Sequence, residues 1–340
     1  MDRIEFTNPH NSGGNAAYAA PVKKSRKPLL IIVILVILVI LAGIGVYFVL
    51  NEDNGTGYGG TQPYIGVLHV EGTISGDNES YDTYQHDWLL KNIDYMIKDE
   101  FNKGLMIYVD SPGGSVYQAD ELYLRLQRYQ KKTGRPLYAY FGEQALSGGY
   151  YISAGADKIT ANRNSSVGSI GVYSGPYLDI SELIGELGVD VDIIHAGENK
   201  TMGSSFEPMT DEQKAILQAS VDEVYYQFVT IVAEGRGMEY ADAQKLADGR
   251  PYTAYQALQN GLIDEISEFD TAKRAMLLEQ ELDCGFAEIK YTPKTSVTDI
   301  LKLVQDTVQQ LNVTGKVSEI ESVLNLVEEY NNQPLKYLAQ

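Results

Sequence analysis

Between Leu29 and Leu50 the chain reads LLIIVILVILVILAGIGVYFVL, twenty-two residues without a charge. At about 1.5 Å rise per residue, a helix of this length spans roughly 33 Å, close to the hydrocarbon thickness of a bilayer. A cleaved secretory leader has a shorter apolar part, about 7–15 residues, followed by a small-residue cleavage site. This run ends instead in Tyr47-Phe48-Val49-Leu50. A retained membrane anchor is therefore expected at 29–50. Charge sets its orientation. Residues 1–28 carry a net +3, and everything after the run carries −22, within a total of −19. Because basic flanks stay on the cytoplasmic side, the 1–28 tail is expected inside the cell membrane and the body outside.

The same charge balance argues against a nucleic-acid partner, which would require a basic face. A single cysteine, Cys284, excludes an intramolecular disulfide framework, and the four histidines (His10, His69, His86, His195) are scattered. Neither a cysteine-rich nor a histidine-based metal centre is expected, and no cofactor motif is present.

Residues 51–62 (NEDNGTGYGGTQ) read as a polar, glycine-rich tether. Strand-like and helical patterns then alternate. Strands are expected at Tyr64–Val70, Leu105–Val109, Leu137–Phe141 and Val189–His195. Helices are expected at Trp88–Asn102, Val116–Tyr129, from Ser147 to Gly155, and at Thr210–Ala233. This alternation implies an α/β fold with a largely parallel sheet. Beyond about 296 the pattern changes. Val297, Ile300, Leu301, Val304, Val308 and Leu311, and then Val317, Ile320, Leu324 and Val327, fall on helical faces, which predicts an amphipathic extension over 296–340.

Two places stand out for chemistry. An apolar strand runs into Asp110-Ser111-Pro112-Gly113-Gly114 and presents backbone N–H groups at the carboxyl end of a sheet. Such donors can hold a developing oxyanion, although an ordinary Pro-Gly turn has the same composition. Ser147, in Ala145-Leu146-Ser147-Gly148-Gly149-Tyr150, follows a strand and precedes a helix. It is either a nucleophile or a plain N-cap. A nucleophilic serine needs a base. His195 and, five residues on, Lys200 are the candidates, the lysine only where its amine is held neutral.

The ordered motifs Asp110–Gly114, Ser147–Tyr151, Ser165–Val172, Lys200–Thr210 and Asp248–Thr253 resemble the signal peptide peptidase A family over roughly 65–266. These are membrane-anchored Ser–Lys peptidases of the ClpP/crotonase-like fold, built from repeated ββα units. The resemblance implies a peptidase domain over 63–295, with Ser147 as nucleophile, Lys200 as general base and Ser169 as the serine that orients the lysine. It implies an oxyanion hole at Gly114, with Gly148 as second donor. Triad-using relatives of this fold have a histidine in the segment that here reads Gly168–Val172, which contains none, so His195 becomes a structural residue. The resemblance further implies remnant signal peptides and other apolar peptides as substrates. It also implies a ring-shaped homo-octamer in which Ser and Lys of one site come from neighbouring subunits. The alternatives are a catalytically silent membrane scaffold or binding module, or an acyl-CoA enzyme of the same fold. One departure is Asp110, where many relatives have Asn, and it raises the question of a carboxylate beside the oxyanion hole.

Overall fold

The computed structural model describes residues 61–76 and 84–291. The apolar run 29–50, most of the tether and the C-terminal amphipathic stripes lie outside the described residues. No helix among the described residues is long and apolar enough to cross a membrane.

The chain enters through β1 (Tyr64–Glu71), crosses by α1 (His86–Lys98) to β2 (Asn102–Ser111), and by α2 (Val116–Thr133) to β3 (Leu137–Leu146). β1, β2 and β3 pair parallel and in sequence order. A short α3 (Gly148–Ser153) follows β3 directly, then β4 (Lys158–Ala161) and β5 (Ser166–Gly168). The remaining elements are α4 (Ser181–Glu186), α5 (Asp211–Arg236), α6 (Tyr240–Leu246), β6 (Pro251–Thr253), α7 (Ala254–Gln259), β7 (Glu265–Ile266), α8 (Phe269–Glu279) and β8 (Gly285–Ile289). The main path across the sheet is β6-β5-β3-β2-β1-β8, and every pairing is parallel except β5 with β6. The mixed α/β fold with a largely parallel sheet is thus the one expected.

Strand β3 serves two neighbours. Its first half, Tyr138–Phe141, pairs with β4, and its last residues, Gln144–Leu146, pair with β5. Between these halves its register against β2 slips, from Val109↔Phe141 to Ser111↔Ala145. Such an irregularity bends a strand and re-aims its end, here the end that delivers Ser147.

Side chains alternate across a strand, and both faces of this sheet are covered. On one face Leu68, Val70, Ile107, Val109 and Phe141 pack beneath α1 and α2. Helix α2 meets them with Ala119, Leu122, Leu126 and Tyr129, spaced to lie along one stripe, and ends at Gly134 in the left-handed conformation. Each fully buried Leu or Ile there contributes about 1.5–3 kcal/mol. On the other face Ile65, Val67, Met106, Tyr138 and Tyr140 pack against Ala272 and Met276 of α8.

Two expectations need correction. The helix read as Trp88–Asn102 ends at Lys98, because Asn102 is buried as the first residue of β2. There its amide donates to Gly104 O and its Oδ1 accepts from Tyr129 Oη. The strand read at Val189–His195 does not form. The segment is exposed and has no neighbouring strand in the protomer, so its apolar alternation has no ladder to join.

Candidate active site

Ser147 stands between β3 and α3 with φ 50° and ψ −117°. Of the described residues, only Ser147, Ser169 and Glu281 combine a side chain with positive φ. Such a conformation costs on the order of 1–3 kcal/mol and persists only where the surroundings impose it. Here the Ser147 N–H donates to Gly168 O at 2.7 Å, and the Ser147 carbonyl accepts from Tyr151 N at 2.9 Å. The side chain makes no capping hydrogen bond to α3. The plain N-cap reading therefore fails. A true cap has extended backbone and a bonded hydroxyl, and Ser147 has neither. A strained strand-to-helix turn that leaves a serine hydroxyl uncommitted is the geometry of a nucleophile.

The Gly113-Gly114 turn lies against it. A Cβ built on Gly113 would sit 2.7 Å from both Ser147 Cβ and Gly148 N. Beyond β1 the chain continues to Ile74, which forms an isolated parallel bridge with Gly114. The bridge uses Gly113 O, accepting from Ile74 N at 2.9 Å, and Ser115 N, donating to Ile74 O at 2.8 Å. In a parallel bridge these flanking groups make the bonds, so the Gly114 N–H is left out of it. Gly114 must be glycine, because a Cβ there would fall 2.1 Å from Ile74 O. Gly148 is the first residue of α3, so its N–H has no intrahelical acceptor. Two backbone donors thus border the serine.

Ser169 follows β5 as Ser147 follows β3, and the two strands pair through Leu146↔Gly168. Its φ is 49°, held by N–H donation to Arg250 O at 3.0 Å and Oγ donation to Gly249 O at 3.1 Å. The oxygen keeps its acceptor capacity.

Lys200 is different. It lies on an exposed turn, where Lys200 N donates to Gly197 O at 3.1 Å. Among the described residues its ammonium has no hydrogen bond or ion pair, and none links it to Ser147 or Ser169. Ser147, Ser169, Gly114 and Gly148 are therefore brought together in the protomer, and Lys200 is not joined to them. His195 is exposed as well, and its Nδ1 lies 3.1 Å from Gly197 O, a local turn contact away from the serine's partners.

Asp110 resolves simply. By alternation it shares a face with Tyr108, Glu71 and the α8 layer, while Ser111 belongs to the other face. Burial pushes the Asp110 carboxyl up, bonds from Gln144 and Glu143 N–H oppose this, and the charges of Glu143 and Glu71 add to it. The carboxylate is thus a neighbour of Tyr108, whose hydroxyl is itself pushed up by burial and by Asp110.

Sequence reasoning missed Ile74 and the part played by Ser111. Neither carries a signal of its own, because the first is about forty residues from its partner Gly114.

Comparison with known proteins points to one family. Residues 129–283 match peptidase family S49, a stretch that includes Ser147, Ser169 and Lys200. A candidate signal peptide peptidase SppA of Enterococcus faecium is 37% identical over 229 residues, 66% of this chain and 66% of that protein. Protease 4 of Haemophilus influenzae is 29% identical over 286 residues, 81% of this chain and 46% of its own. A candidate protease of Methanocaldococcus jannaschii is 38% identical over 201 residues, 58% of this chain and 62% of its own. The matches therefore span about two thirds or less of these relatives' lengths. With the motifs in family order on a parallel-sheet α/β fold, the chain belongs to peptidase family S49, in its signal peptide peptidase A type.

Proposed function

We propose that this chain is a membrane-anchored serine endopeptidase whose Ser147–Lys200 dyad is completed between copies. The observation that carries the reading is the strained, uncapped Ser147 lying against the Gly113-Gly114 turn. In the reaction, a neutral Lys200 amine takes the proton from Ser147 Oγ as the oxygen attacks a peptide carbonyl. The N–H groups of Gly114 and Gly148 receive the oxyanion, at about 2.7–4 kcal/mol for a donor of this kind. The lysine returns its proton to the leaving amine, and water then releases the acyl group from Ser147. Ser169, committed as a donor to Gly249, accepts a hydrogen bond from the amine and orients it.

Completion between copies is supported by the segment that carries Lys200. From about 173 to 209 the chain is almost wholly exposed, and it displays Tyr173 (85%), Leu178 (67%), Leu187 (71%) and Ile194 (99%). Apolar surface on this scale marks an interface. Covering it with another copy would also remove water from the lysine, and desolvation favours the neutral amine. A closed ring, of eight copies as the family resemblance implies, fits a head-to-tail contact of this kind. The body over 63–295 adopts the ClpP/crotonase-like arrangement. The 1–28 tail lies in the cytoplasm, 29–50 spans the membrane, 51–62 tethers the body outside, and 296–340 is an appended helical segment. The substrates are remnant signal peptides and other apolar peptides, bound as extended strands.

The test is peptide hydrolysis by the full chain in detergent. Ser147→Ala and Lys200→Ala should each lose at least about 10³-fold in kcat, while His195→Ala should stay within a factor of two. Co-assembling the two inactive variants should restore up to about a quarter of the activity, since a random mixture pairs an intact serine with an intact lysine at about one site in four. Retained turnover in Ser147→Ala or Lys200→Ala would sink the dyad, and no recovery on mixing would sink its assembly between copies.

A further inference from the structure

Ser111 closes β2 and has 0% of its surface exposed. Its hydroxyl spans two main-chain segments: it donates to Gly72 O at 2.6 Å, just past β1, and accepts from Gly113 N at 3.1 Å. The residue also packs against the start of α3, since a Cβ on Gly149 would lie 2.9 Å from Ser111 O and 3.3 Å from Ser111 Cβ. One buried hydroxyl thus holds the turn that carries the Gly114 donor, and the body of the same residue backs the helix start that carries Gly148. We propose that Ser111 is the positioning residue of the oxyanion hole, holding the Gly114 N–H in its receiving orientation. This rests on the Ser147 peptidase reading above.

The argument is geometric. Gly113 and Gly114 have φ of 92° and 152°, and glycine backbone rotates at little steric cost. Left to itself, the Gly113–Gly114 peptide could turn over. Because a peptide unit is planar and trans, the Gly113 carbonyl and the Gly114 N–H point in opposite directions. The carbonyl is directed at Ile74 N, so the Gly114 N–H is directed away from Ile74. Two bonds keep that orientation: Ile74 N–H on the Gly113 carbonyl and, on the preceding peptide, the Gly113 N–H bonded to Ser111 Oγ. The hydroxyl proton simultaneously satisfies Gly72 O, which keeps the β1 exit, and with it Ile74, in place. Removing the hydroxyl leaves a buried donor, Gly113 N–H, and a half-buried acceptor, Gly72 O, without this partner, and rotation of the glycine peptides is the easiest way to relieve them. Such rotation withdraws the donor from the oxyanion and leaves the substrate's strand contacts in place.

The experiment compares Ser111→Ala with Tyr129→Phe in the full chain. Tyr129→Phe also deletes a buried hydroxyl, the one bonded to Asn102 Oδ1 at the opposite end of β2. Ser111→Ala should lower kcat by about 10–100-fold with KM within about twofold. It should weaken inhibition by a peptide aldehyde, whose adduct carries the oxyanion, by a similar factor. Tyr129→Phe should lower the melting temperature and leave kcat and aldehyde inhibition unchanged. Should Ser111→Ala not fold, Ser111→Cys keeps the side chain's size while weakening both bonds, and the same split is expected at about 3–10-fold. Unchanged kcat, a change confined to KM, or an equal kcat loss in Tyr129→Phe overturns the proposal. Ser147→Ala tells this failure from failure of the underlying reading. An inactive Ser147→Ala beside a fully active Ser111→Ala rejects only the positioning role, whereas an active Ser147→Ala rejects the peptidase site itself.

Discussion

The rim of the sheet at Ser147 and the arm that carries Lys200 are built on opposite principles. At the rim, each site residue is held by main-chain bonds from a neighbouring segment: Ser147 by Gly168, Ser169 by Arg250, and the Gly113-Gly114 turn by Ile74. Below it lies a fully buried core of Val109, Phe141 and Ala145. Such support can maintain two serines at positive φ. Among the described residues, the arm from 173 to 209 makes hydrogen bonds only within itself, such as Ile180 N–H to Ser205 O at 2.9 Å, and its apolar side chains face outward. The rim is held by its own chain, and the arm is left uncovered. On the proposed reading, in which Lys200 meets the serine of another copy, a site divided in this way would couple chemistry to assembly.

The largest expected effect short of removing the dyad sets a glycine of the rim against one of the arm. Gly114→Ala should lower kcat by about 10²–10³-fold, because the new Cβ would meet Ile74 O at 2.1 Å and displace the oxyanion donor. Gly197 also has a positive φ, 95°, but nothing lies within 4 Å of the new Cβ, and Gly197→Ala should cost no more than about threefold. Equal losses in steady-state kinetics would show that the rim is not the more constrained half.

Next in size is a charge on the arm. Ile194→Asp should reduce the assembled form by about tenfold or more in sedimentation, and peptide hydrolysis should fall in parallel. The thermal transition of the body should move by no more than about 2 °C, since Ile194 packs on nothing in its own protomer. Full activity in a monomeric Ile194→Asp would mean that rim and arm meet within one copy.

The smallest effect belongs to the face behind the rim. Burial and the Glu143 and Glu71 charges raise Asp110 in the folded state, so the folded protein binds its proton more tightly than the unfolded chain. That contribution is fully present below the ordinary carboxylate value near 3.9 and is lost as pH rises through the folded value. Asp110→Asn, which can still accept the Gln144 and Glu143 N–H bonds, should therefore be more stable than the parent at pH 7. After solvent screening the gain is about 0.5 kcal/mol or less, shrinking towards zero near pH 4 in urea titrations. Because Asp110 lies on the face of β2 opposite Ser111, kcat should not change. A loss of kcat would place its charge at the site after all.

Much of the rim was legible in the residues. Ser147, Gly114 and Ser169 sit in compact motifs, and short apolar strands ending in glycine-rich turns leave few other placements. The three leading strands were also readable, because a strand buried on both faces is a continuous apolar run. Val189–His195 shows the limit. Its alternation is real, but a strand exists only where a neighbour offers hydrogen bonds, and the protomer supplies none. Trp88–Asn102 was read too long for the same kind of reason, since Asn102 is claimed by Tyr129 and the sheet.

The amino-acid order by itself determined the alternation of strand and helix, the compact motifs that carry Ser147 and Lys200, and the uncharged run ahead of the body. These depend on composition and spacing over a few neighbouring residues. Only the tertiary structure decided that Ser147 caps nothing, that Asp110 and Ser111 lie on opposite faces of β2, that Ile74 and Ser111 fasten the Gly113-Gly114 turn, and that Lys200 stands apart on an uncovered arm. Each of these is a contact, or a missing contact, between segments far apart in the chain, and local sequence carries no record of it until the sheet has brought those segments together.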